Sequence, residues 1–221
     1  MLAQVRAMLA VLDRRWPGAA RRLRPHPIVE MASWPEIRLR LVDEHIGSRG
    51  CAVSGSYHPE LTPPTLLVGR SLSHRRRAFT ALHELGHHLQ QTDVDLGERT
   101  FEASNPLRFQ EKACDAFAAE VLLPDAELAR PGLTARDIVA AYESSAASRE
   151  ACCVWASRHI RGTVALLDAS GTVLFASGRG ISGSPLVRAA LRSRGPVSDS
   201  TGDAAWCDGY LIAVLRVGSS A

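Results

Sequence analysis

An α+β chain is what the sequence predicts: a mostly helical part with a small sheet, then a helix-turn-helix-like pair, then a small β-rich unit. Three observations carry this. Leu2, Val5, Met8, Leu9 and Leu12 repeat at helical spacing, and similar stripes recur before residue 124. From Gly162 the pattern changes to short apolar runs, 163–167 and 172–176, around the turn-like Asp168-Ala169-Ser170-Gly171. Pro124, Pro131, Gly132 and Gly162 interrupt the pattern, which sets segments at 1–130, 131–161 and 162–221.

Taken in order, residues 2–15 form an amphipathic helix, followed by Arg21-Arg22-Leu23-Arg24 and the breakers Pro25 and Pro27. Residues 28–70 mix apolar runs with Gly47, Gly50 and Gly55, and residues 65–68 after Pro63-Pro64 read as a strand. A helix capped by Ser71 or Ser73 then runs to about Gln91, with Gly86 its weak link. A loop of about 18 residues precedes a second helix, 109–123, which Pro124 stops. Residues 134–143 and 147–158 have the proportions of a helix-turn-helix. A short helix at 186–194 and a strand at 210–217 complete the chain.

Composition excludes several functions. The 221 residues are 46% hydrophobic and 22% charged, which argues against disorder, and no apolar run is long enough to cross a membrane. Asp13, Arg14 and Arg15 close the N-terminal apolar stretch too early for a secretory signal. Cys51, Cys114, Cys152, Cys153 and Cys207 are odd in number and lack C-x-x-C spacing, as expected of reduced thiols in a cytoplasmic protein. The net charge of +3 is concentrated in residues 1–27, and residues 131–162 carry four arginines against three acids. That is a poor footprint for tracking phosphates, so direct DNA binding is disfavoured and a packed helical hairpin expected instead. Cys152 and Cys153 are expected to fill core.

The chemistry lies in His83-Glu84-Leu85-Gly86-His87. On a helix, residues i and i+4 share a face, so both imidazoles can grip one metal ion. Glu84, beside the first of them, can serve as general base and then as proton donor to a leaving amine. Random placement of 8 His and 12 Glu gives this pattern about 0.02 times. The alternative is a histidine-rich surface helix without metal. His88 lies on another face and reads as a bystander. A third ligand is sought among Glu98, Glu102, Glu111, Asp115 and Glu120. Glu111 is best placed, with Asp115 one turn later to orient a histidine; Glu98 and Glu102 fall in the loop. Two imidazoles and a carboxylate suit zinc first and manganese second. Tyr57 and His58, ahead of the 65–68 strand, read as structural.

The stretch Arg77-Ala78-Phe79-Thr80-Ala81-Leu82-His83-Glu84-Leu85-Gly86-His87-His88 resembles the metal-binding helix of the ImmA/IrrE family of bacterial metallopeptidases. Glu111-Lys112-Ala113-Cys114-Asp115-Ala116-Phe117-Ala118-Ala119 and its Leu122-Leu123-Pro124 end are similar to that family's second signature. The resemblance implies a zincin-like core with His83, His87 and Glu111 as ligands and Glu84 as the catalytic acid/base. It also implies an endopeptidase that cleaves a helix-turn-helix (XRE-like) repressor and so derepresses genes, in a stress response or a mobile element. The 65–68 strand fits as the edge to which an extended substrate adds. Leu167-Asp168-Ala169-Ser170-Gly171-Thr172-Val173-Leu174 resembles part of a GAF- or PAS-like sensor unit. The competing reading is a DNA- or partner-binding regulator whose metal site is structural.

Overall fold

The computed structural model describes residues 1–43, 55–70, 72–181 and 183–216. Gly47, Gly50, Cys51, Ser71 and Val217 lie outside them. The chain divides into two compact units, Met1–Pro124 with Ser145–Ala147, and Asp125–Ser144 with Ser148–Ala221. The sequence suggested three segments; here the 134–143 and 147–158 helices and the β-rich segment share one unit.

In the first unit, α1 (Leu2–Arg15), α2 (Ala19–Leu23) and α3 (Pro27–Ala32) precede a sheet of β1 (Arg38–Val42), β2 (Gly55–His58) and β3 (Thr65–Gly69). Then come α4 (His74–Thr92), α5 (Val94–Phe101) and α6 (Pro106–Leu122). Each of these helices starts on a residue suited to the task. Ser73 caps α4 through Arg76 N–H, Asp93 caps α5 through Leu96 N–H, and Asn105 caps α6 ahead of Pro106. The loop expected before the second helix is therefore largely α5.

The sheet order is β1-β3-β2, with β3 parallel to β1 and antiparallel to β2. This corrects the sequence reading of residues 65–68 as an edge. β3 is paired on both sides, and β2 is an edge strand among the described residues. Leu66 and Val68 turn one face of β3 inward, where α4 packs, and both are fully buried. The α4–α6 crossing is close because Gly86 has no side chain: a Cβ there would lie 3.0 Å from Cys114 Sγ and 3.1 Å from its Cα. The helical weak link is thus a notch that lets α6 approach.

The second unit comprises α7 (Asp125–Leu128), α8 (Ala135–Glu143), α9 (Arg149–Ser157), β4 (Gly162–Leu167), β5 (Val173–Ala176), α10 (Pro185–Ser193), β6 (Val197–Asp199), β7 (Gly202–Cys207) and β8 (Tyr210–Arg216). Its sheet, β5-β4-β8-β7-β6, is antiparallel throughout. Ala165, Leu167, Ala204, Leu211 and Ala213 pack under Leu186, Val187 and Ala190 of α10. Residues of opposite parity, such as Asp203, turn to the side of α8 and α9. Asp208 and Gly209 join β7 to β8 with φ of 45° and 79°, the left-handed pair that a tight hairpin needs.

Candidate metal centre

α4 and α6 face each other across the Gly86 notch, and the candidate site lies along that seam. His83 Nε2 and His87 Nε2 are 3.1 Å apart. Glu111 reaches both from α6, with Oε2 3.3 Å from His83 Nε2 and Oε1 3.4 Å from His87 Nε2. Ligands 2.0–2.2 Å from a tetrahedral centre are separated by about 3.4 Å, so these three donors have the spacing that one cation requires. Asp115, one turn beyond Glu111, accepts the His83 Nδ1–H at 2.9 Å. That bond leaves the Nε2 lone pair of a neutral His83 aimed at the cluster.

The environment tunes each group differently. Burial disfavours a charged His83, but the Asp115 hydrogen bond and the Glu84, Asp115 and Glu111 carboxylates outweigh it and raise its pKa. Burial, then the neighbouring His83, lowers that of His87. Glu84 is only 3% exposed, and burial pushes its carboxyl up to about 7 against the opposing pull of His83. A carboxyl held there exchanges protons near neutral pH.

Glu84 rests against β2. A Cβ added at Gly55 would fall 2.8 Å from Glu84 Oε1, 2.5 Å from Thr80 Cγ2 and 2.9 Å from the Leu67 carbonyl oxygen. Only glycine admits so close an approach of strand and carboxyl. Two positions on, Tyr57 Oη is hydrogen-bonded to His88 Nδ1 at 3.0 Å, with the rings edge to face. His88 is therefore a buried tie between α4 and β2. Burial and then Arg15 lower its pKa to about 4, which keeps it neutral. His58 turns to the other side of β2, between Ser56 Oγ at 3.0 Å and Glu60 Oε1 at 2.7 Å.

Cys114 Sγ also lies within 4.8 Å of the two imidazole nitrogens. It is the weaker donor. Burial, then Glu111, pushes its thiol far above the ordinary value, and it already accepts Gln90 Nε2–H at 3.1 Å while filling the Gly86 notch. Of the five acids considered from sequence, the fold brings Glu111 and Asp115 to the histidines. Glu98 lies on α5 and Glu102 caps its end. Gly55 and the Tyr57–His88 tie escaped sequence reasoning, because nothing local in residues 55–58 says which helix they will meet.

No curated protein matches this chain. Among solved structures, a Mycobacterium tuberculosis transcriptional regulator is similar at 16% identity and a TM-score of 0.45, over 98% of this chain and 76% of that one. A family model described as IrrE N-terminal-like domain matches residues 44–149, just under half of the chain, and spans α4 and α6 entire. Both signatures lie inside that match, so residues 44–149 are similar to the IrrE N-terminal-like domain.

Proposed function

We propose that this protein is a metal-dependent endopeptidase in which His83, His87 and Glu111 hold one divalent cation and Glu84 is the catalytic acid/base. The observation that carries this is the convergence of two imidazole nitrogens and one carboxylate within 3.1–3.4 Å, next to a buried Glu84. The donor set favours zinc, with manganese the alternative. When bound, such a cation lowers the pKa of water to about 7 and polarises a carbonyl oxygen.

The other tasks belong to side chains. Ionised Glu84 takes a proton from the attacking water and passes it to the departing amine nitrogen, ending as it began. Asp115 holds His83 in the tautomer that turns Nε2 to the cation. The substrate backbone adds to the outer edge of β2, the strand whose Gly55 lies against Glu84. In this reading the first unit is a zincin-like core and the second a GAF- or PAS-like sensor. The five-stranded sheet with helices on both faces supports that reading of the second unit.

The resemblance of both signatures to ImmA/IrrE peptidases supports a helix-turn-helix repressor as substrate, and buried free cysteines fit work in the cytoplasm. No helix of the described residues is long and apolar enough to cross a membrane. The test is incubation of zinc-loaded protein with the helix-turn-helix repressor encoded nearest to it. Cleavage by the wild type and none by Glu84→Gln is expected. If both hold one metal and neither cuts, a non-proteolytic regulator with a structural metal site takes its place, and DNA binding becomes the next assay.

A further inference from the structure

The second unit contains a cavity of about 350 Å³ that the peptidase reading does not use. That volume lies within the range of small-molecule sites, about 300–1,000 Å³. Its walls come from the start of α8 and from β6, β7 and β8, and the groups that matter are Arg136, Arg216, Asp203, Thr134, Ser198 and Pro196. Asp203 is buried, and both of its oxygens are engaged. Oδ1 accepts the Ala135 N–H, and Oδ2 pairs with Arg216 Nη2 at 3.3 Å. This pairing steers Arg216 along the cavity wall and leaves most of its five N–H donors unspent. Arg136 makes no ion pair among the described residues and stands at the same wall.

Two guanidinium groups against one carboxylate leave a positive charge facing a concave space. Arginine forks match the oxygen geometry of carboxylate and phosphate groups. Thr134 and Ser198 add polar lining, and Pro196 borders the same space. A polyanion fits less well, because the space is a cavity rather than a track and the surrounding 131–162 segment is nearly neutral.

We propose that this cavity binds a small anionic metabolite, with its phosphate or carboxylate group on Arg136 and Arg216 and its remainder beside Ser198 and Pro196. The occupant is thus a compact acid or phosphomonoester, held within the second unit alone.

Thermal unfolding of the full chain tests this with inorganic phosphate and with acetate, each at about 20 mM and matched in ionic strength to a chloride control. A rise in midpoint of about 3 °C is expected with the matching oxyanion, as mass action predicts for a site near saturation. A larger effect of phosphate assigns a phosphomonoester, and a larger effect of acetate a carboxylic acid. Arg136→Gln should melt like the wild type in chloride and lose the rise. Arg216→Gln should lose it too, with a lower midpoint in chloride because Asp203 is left without its partner. Absence of a rise with either anion overturns the proposal. So does a rise that survives in both variants, since the anion would then be binding elsewhere.

Discussion

Replacing Gly55 by alanine probes how Glu84 is held. The added methyl carbon would lie 2.5 Å from Thr80 Cγ2, 2.8 Å from Glu84 Oε1 and 2.9 Å from the Leu67 carbonyl oxygen. All three are closer than packed atoms tolerate, so strand, threonine or carboxyl must move. Overpacking of this kind costs about 1–3 kcal/mol, which lowers an unfolding midpoint by roughly 5 °C for a chain of this size. A shift of Glu84 by about 1 Å also costs on the order of 100-fold in turnover, because proton transfer depends on position. The assay compares melting, zinc content and peptide cleavage for Gly55→Ala and for Gly55→Ala with Thr80→Ser, which removes the Cγ2 obstacle. Stability should partly recover in the double variant while turnover stays low. If Gly55→Ala melts and cuts like the wild type, β2 does not press on Glu84, and the seating argued from these distances is wrong.

Equilibrium dialysis should separate the ligand candidates: His83→Ala, His87→Ala and Glu111→Ala lose zinc, while Cys114→Ser keeps it. Tight zinc binding by Glu111→Ala would show that the third donor had been misassigned. Asp115→Asn should retain the site at about 10- to 100-fold lower zinc affinity, because the carboxylate orients His83 rather than touching the metal. Stability should fall with acidification between about pH 6.5 and pH 4, partly through His88, whose folded pKa of about 4 lies below its unfolded value. In that window the unfolded chain binds the extra proton, so stability rises with pH, by up to about 3 kcal/mol for a shift of this size. Urea titrations of wild type and His88→Gln across that range should show a shallower pH slope for the variant.

Legibility from sequence followed the range of the physics involved. α1, α4 and α6 are long and periodic, and Ser73 and Asn105 cap the latter two, so local spacing locates them within a few residues. The i, i+4 rule places His83 and His87 on one face, and the same rule puts Asp115 beneath Glu111, so much of the seam was readable from two separate helices. Strand order was not readable. Residues 65–68 look the same at an edge or at the centre of a sheet, and only pairing with β1 and β2 decides. β7 went unread because Ala204-Ala205 lacks β-branched residues, although Asp208-Gly209 just beyond it is a strong hairpin signal. α5 was masked by short length and by Gly97. Cys114 illustrates a further limit: its closeness to the histidines follows from Gly86, a contact between residues 28 positions apart.

In the proposed reaction Glu84 performs chemistry at a metal held by His83, His87 and Glu111. Its most direct test measures zinc per chain and cleavage of the neighbouring repressor in parallel, for wild type and Glu84→Gln. One zinc in both proteins, cleavage by the wild type, and at least about a 100-fold loss in the variant are expected. Equal cleavage by the two proteins, or loss of zinc from Glu84→Gln, would contradict it.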